Sequence, residues 1–383
     1  MTTTPTTTAT TTDTLVTVDR AVLTEALGYV SKAVSTRRGD LEAAGITLST
    51  DTEAGNLTIY SQDETMTLRS TVRCLADAQM SATFSGHLLV DLVTKMTGET
   101  VRLKAGEAGV VISCGSSRYT LPVLVGTTIL ERKLDKIPRY PIDAGALAAA
   151  YKCVKHAVES GDSGNINLHG VQIDASGGTL ILAGAHSSHA AISDHLEFGT
   201  HLQARLPADL LAAAIRGLKD HTTIGMDENT LIVDTESTDD DGNTGMRNTA
   251  RLAVFAGGVM PYAKVRREPD TYSTTITVRT ADIAGAADRL GVVSETGAAI
   301  SIRISEGDAI LGTLDSTDTE TLDATISGDE TAQFAIQPHL LSQAVKAIDH
   351  TEVTLHLGNG LPIRIEASDP DNHACCFVAG VRT

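Results

Sequence analysis

Four short stretches place reactive side chains close enough together to suggest chemistry. Gly-Asp-Ser-Gly at 161–164 sets Ser163 beside an acid, as around a serine nucleophile. A catalytic triad is defined by the geometry and roles of three groups, and Asp and Ser between glycines also make an ordinary turn. His186 and His189, in His-Ser-Ser-His, have a spacing that can ligate zinc on a helix. The surrounding pattern is strand-like, where residues i and i+3 face opposite sides, so surface histidines are expected instead. His373, Cys375 and Cys376 form a third cluster, with no partner pair in evidence. The acidic run at 234–245 lacks the closing Glu of a calcium loop, with Asn248 near that point, and reads as a solvated hairpin loop. No glycine-rich phosphate loop follows a strand-like run. The residues point away from an enzyme. The rival reading, a hydrolase, would rest on Ser163 or on a metal held by His186 and His189.

The elements that carry these residues recur. A twelve-residue segment occurs three times: HLLVDLVTKMTG at 87–98, DLLAAAIRGLKD at 209–220 and HLLSQAVKAIDH at 339–350. Each has apolar residues at helical spacing, a strand-like run before it (SATFS, LQARL, QFAIQ) and an alternating run after it. The copies lie 122 and 130 residues apart, a domain-sized period that implies three tandem copies of one domain. A second amphipathic helix opens each copy, so six helices alternate with antiparallel runs. That pattern predicts an α+β fold with helices segregated on one side of the sheets. The expected parts are a Thr-rich disordered tail over 1–13 and domains over 14–137, 138–270 and 271–383. Charged, proline-bearing segments at 131–141 and 262–270 read as linkers.

The chain has 383 residues, 42% of them hydrophobic but only 3% aromatic, so its cores must be built from Leu, Val, Ile and Ala. No apolar run approaches the roughly 18–20 residues that span a bilayer, and the start of the chain does not read as a signal peptide. Five irregularly spaced cysteines fit reduced thiols in a cytoplasm. A net charge of −18 argues against nucleic acid until its distribution is considered. The six helical segments, with the basic loop after the first, hold 12 Lys and Arg against 9 Asp and Glu, a net +3. The remainder carries −21. A mildly basic helix set on an acidic body suits a polyanion on one face only, although Lys and Arg also favour helices for their own reasons.

Several stretches, in this order and spacing, carry a family resemblance: VTVDRAVLTEALGYVSKAV, ISCGSSRYTLPVL, GVQIDASGGTLILAG, MPYAKVRREP and CFVAGVRT. Over residues 14–383 the chain resembles the bacterial β sliding clamps, the processivity subunits of the replicative DNA polymerase, as a divergent phage or paralogous member. The resemblance implies three clamp domains, each with two helices against antiparallel sheets. Two chains would close head to tail into a ring, with twelve helices around a central hole. It implies no catalysis, no cofactor and no membrane partner, in a cytoplasmic, nucleoid-associated protein (the host cytoplasm if phage-encoded). The implied partners are duplex DNA held without sequence preference, the replicative polymerase, a clamp loader, other clamp-binding peptides and a second copy of the chain. The implied dimer residues are Tyr119 and Leu121 against Val292 and Val293. DNA would be met by Lys32, Arg37 and Arg38, by Lys95, Lys152 and Lys155, and by Arg216, Lys219, Arg289 and Lys346. Arg37 falls where the family has a DNA-contacting arginine. A peptide groove is implied at Ala183, Gly184, Ser188 and His189, at Pro261 and Val265, and at Ala379, Gly380, Val381 and Arg382. There the chain departs from the family: Ser188 replaces an arginine, His189 a leucine, and the ending lacks methionine. The groove is expected to be smaller and more polar. The alternative function is a clamp-fold scaffold that is not loaded on DNA.

Overall fold

The computed structural model describes residues 15–35, 44–106, 108–124, 137–159, 168–227, 229–238, 242, 244–255, 262, 266, 268–295, 298–314, 318–329, 333–369 and 371–381. The tail 1–13, Ser163 with its whole turn at 161–164, Arg37, Arg38, Pro261, Val265 and Arg382 lie outside the described residues.

Six α-helices occur among the described residues: α1 (Arg20–Val30), α2 (Gly86–Lys95), α3 (Ala144–Val154), α4 (Ala208–Ile215), α5 (Thr280–Val293) and α6 (Pro338–Ala347). Their starts follow local chemistry. Asp19 caps α1 by accepting from Val22 N at 3.0 Å, and Asp143 caps α3 by accepting from Ala146 N at 2.6 Å. Pro338 opens α6, where its missing N–H costs nothing. α2, α4 and α6 are the thrice-repeated segment, each preceded by its short strand, Ser81–Ser85, Gln203–Leu206 or Gln333–Ile336. In each copy the second leucine, Leu89, Leu211 or Leu341, is fully buried. All six helices are therefore anchored by aliphatic side chains, as the scarcity of aromatics requires.

The chain forms two compact units, residues 1–141 with 212–253 and residues 142–211 with 254–383. In the first unit, a five-stranded antiparallel sheet runs Leu75–Ala76, Leu15–Asp19, Thr100–Gly106, Gly109–Cys114, Ser117–Leu121. An eight-stranded sheet there joins the last strands of the second repeat to the first repeat, with Thr244–Ala253 antiparallel to Met66–Arg73 and Asn248 opposite Ser70. In the second unit, a nine-stranded sheet joins the first strands of the second repeat to the third. There His189–Glu197 lies antiparallel to Ala374–Val378, with Ile192 opposite Cys375. A four-stranded sheet completes that unit.

The segments read as linkers are pinned where described. Tyr140–Ile142 is an edge strand beside His221–Asp227, and Arg139 Nε donates to Asp234 at 2.7 Å. Tyr262 donates to Asp174 at 3.2 Å, and Arg266 pairs with Asp194. These cations and this hydroxyl reach carboxylates on strands. No helix among the described residues is long and apolar enough to cross a membrane.

Candidate functional site

The residues expected to form a groove come together in the second unit. Strand Thr179–Ala185 turns through 186–188 into strand His189–Glu197, closed by His186 N donating to His189 O at 2.7 Å. The chain end runs alongside: Ala379 N donates to Ser188 O at 2.8 Å, and Val381 N to Ala335 O at 2.8 Å. Ala183 and Gly184 are buried beneath this turn, whereas Ala379, Gly380 and Val381 are exposed. Gly184 is required there, because a Cβ would stand 2.6 Å from the Val154 carbonyl oxygen at the end of α3. Tyr262 packs against two buried clusters, one holding Ala183 with Ile192, Cys375 and Phe377 and the other Ala185 with Ala190. Burial and the neighbouring Asp174 carboxylate push its phenol up to about 12.

The His-Ser-Ser-His run turns at 186–188 before His189 opens its strand, which corrects the expectation that its two histidines face apart. Their rings lie 5.3 Å apart, centre to centre. Sequence reading missed two further residues at this place, His156 and Glu159, just past α3. His189 Nε2 lies 2.9 Å from the His156 carbonyl oxygen, and His186 Nε2 lies 3.2 Å from Glu159 Oε1. The available signal was Gly184, a glycine inside a strand that marks a close backbone approach. No group of three or more His, Cys, Asp or Glu among the described residues is arranged to hold a metal.

The cations expected to meet DNA sit at, near or just beyond the C-terminal end of every described α-helix. Lys32 follows α1, Lys95 ends α2, Lys152 and Lys155 close α3, Arg216 and Lys219 follow α4, Arg289 lies in α5 and Lys346 in α6. Four of these eight already have a carboxylate. Lys152 Nζ lies 3.1 Å from Asp349, Lys346 Nζ 2.6 Å from Asp288 and Arg289 Nε 2.7 Å from Glu320, and Lys219 pairs with Glu25. Hydrogen bonds from Lys346 and Ser342 hold the Asp288 carboxyl below its usual range, and Arg289 does the same to Glu320. Lys32, Lys95, Lys155 and Arg216 are exposed, with no ion pair among the described residues.

Three of the four expected dimer residues are exposed. Tyr119 lies on Ser117–Leu121, the edge strand of the five-stranded sheet, and is 49% exposed, whereas Leu121 is buried in its own sheet. Val292 and Val293, in the last turn of α5, are 84% and 60% exposed. Valines this bare at a helix end mark a surface that can be covered.

Comparison with known proteins gives the class. Along nearly its whole length the fold matches sliding clamps. The DNA polymerase sliding clamp from Bacillus subtilis superposes with a TM-score of 0.83 at 16% identity, over 97% of this chain and 100% of that one. The beta subunit from the DNA polymerase of Streptococcus pyogenes gives 0.83 at 15% identity, over 96% and 100%. Residues 14–128 match the family of the DNA polymerase III beta subunit, N-terminal domain. The beta sliding clamp of Streptomyces coelicolor is 25% identical over 345 residues, 87% of this chain and 88% of that protein. That of Micrococcus luteus is 25% identical over 299 residues, 77% and 93%. Residues 14–128 thus match the N-terminal domain of that family, and over most of its length the chain is similar to bacterial β sliding clamps.

Proposed function

We propose that two copies of this clamp close head to tail into a ring around duplex DNA and tether a replicative polymerase to it, without catalysing a reaction. The observation that carries this reading is the cation at or near the C-terminal end of each of the six helices, on a chain whose net charge is −18. A closed ring holds DNA by topology, so its cations need only track phosphates, whose charge repeats regardless of sequence. The three-domain division at 14–137, 138–270 and 271–383 belongs to the same proposal, with Tyr119 of one copy meeting Val292 and Val293 of the other. The groove at Ser188, His189 and Ala379 to Val381 would dock peptides of the polymerase, the clamp loader and other partners, in a cytoplasm. The test is retention on a nicked circle after loading by a clamp loader. Retention on the circle and loss after linearisation support the ring. Equal retention on both forms means simple binding, and none on either, with a competent loader, favours a scaffold not loaded on DNA.

A further inference from the structure

The groove contains an arrangement that neither the ring nor the tether requires. His156 and His189 stack with ring centres 5.6 Å apart and planes 23° apart, and His186 tilts onto His189 at 5.3 Å and 31°. The His189 contact to the His156 carbonyl oxygen makes Nε2 its N–H donor in the neutral ring. Both ring nitrogens of His156 are buried, and the Cys153 backbone beside them favours the charged ring less than burial disfavours it. The other charged or titratable groups acting on these rings, among the described residues, are Lys155 beside His156, Glu159 on His186, and His339 in the first turn of α6.

Resting on the docking reading above, we propose that this imidazole stack couples peptide docking to protons: the groove takes a peptide with an apolar anchor while its rings are neutral and releases it once a ring is protonated.

A proton on His189 would place a positive charge against two further imidazoles, with His339 and Lys155 near, whereas the single carboxylate, Glu159, is already engaged with His186. The stacked arrangement is thus that of neutral rings. Burial, then the neighbouring His189, lowers His156 to about 4. Burial, with His186 and His339, lowers His189 below the ordinary imidazole value. An apolar side chain laid on the stack removes water from it, which penalises any charged ring further. An acidic anchor is disfavoured because Glu159, only 8% exposed, already places a carboxylate there. The strand residues flanking the turn are small and apolar: Ala185 and Ala190 pair across it and are buried.

The test uses the full chain and two labelled synthetic decapeptides, one with a Leu-Leu-Phe anchor and one with Asp-Asp-Glu in its place. Affinity is read by fluorescence anisotropy between pH 7.5 and 5, and folding by circular dichroism. The apolar peptide should weaken progressively below the ordinary imidazole range, approaching tenfold per pH unit for one coupled proton. His189→Leu should tighten it and reduce the change across the range to under about twofold, since an uncharged residue then covers His156. Histidine NMR should show His189 titrating below the ordinary imidazole range in the wild type, with His156 still neutral at pH 5. Apolar docking that does not change with pH, or an acidic peptide that tightens on acidification, would overturn the coupling and leave the docking reading intact. Binding of neither peptide at any pH by folded protein would remove the docking reading and the coupling with it.

Discussion

Four of the eight described cations expected to face DNA are neutralised within the chain, and this sets how DNA binding should respond to salt. A Lys or Arg paired with a carboxylate has no net charge to offer a phosphate, so its approach releases no counterion. With about 0.9 counterions released per phosphate neutralised, four unpaired cations give a slope of log K against log salt of about −3.6, and eight would give about −7.2. Arg37 and Arg38, outside the described residues, add at most about −1.8 to either figure. The perturbation is removal of the internal partners by Glu25→Gln, Asp288→Asn, Glu320→Gln and Asp349→Asn together. The pairs are exposed or half-exposed and each is worth about 0–1 kcal/mol, so the variant should fold. Its slope should steepen by up to about twofold relative to the wild type, a ratio that holds whether one copy or two contact the duplex. The assay is equilibrium anisotropy on a labelled linear duplex between 50 and 200 mM salt, where topological retention plays no part. An unchanged slope in the variant, with wild-type folding, would refute the idea that these carboxylates neutralise DNA-facing cations.

Other outcomes follow from burial and titration. Leu89→Ala and Leu341→Ala each leave a cavity under a repeated helix and should cost about 3–5 kcal/mol in urea unfolding, whereas Leu88→Ala, at a side chain 47% exposed, should cost under about 1 kcal/mol. Equal losses at Leu88 and Leu89 would mean the helix face is misassigned. His156 is held near 4 against an ordinary 6.5, so the folded state prefers the neutral ring. Its contribution is fully present above pH 6.5 and is lost as pH falls towards 4, by about 3 kcal/mol in all. His156→Leu should therefore flatten the acid limb of stability. A variant as acid-sensitive as the wild type would place the lost stability elsewhere. Val292→Glu with Val293→Glu should yield a monomer by light scattering and abolish retention on circular DNA, with no loss of helix signal. A persistent dimer would move the interface away from the end of α5.

What the sequence made legible, and what it hid, divides along physical lines. The repeated helix was readable because three Leu-Leu pairs recur with the same strand before them, and burial of the second leucine repeats in all three copies. Periodicity reports which face is buried, and burial is what that signal contains. The two seams between repeats, Asn248 opposite Ser70 and Ile192 opposite Cys375, were invisible, because pairing between strands far apart in sequence leaves no local pattern. The contacts of the linker at 262–270 were hidden for a related reason. Arg266 and Tyr262 meet Asp194 and Asp174, carboxylates that sequence distance conceals. The groove combines both cases. Its wall at His186 to His189 was singled out by departure from the family pattern, and those histidines were expected to point apart. A tight turn brings the rings together instead. His156 arrives from α3, more than thirty residues away, through an approach that only a residue without Cβ at 184 permits. Chemistry at such a place depends on which side chains converge, and in this chain the one local trace of that convergence is a glycine.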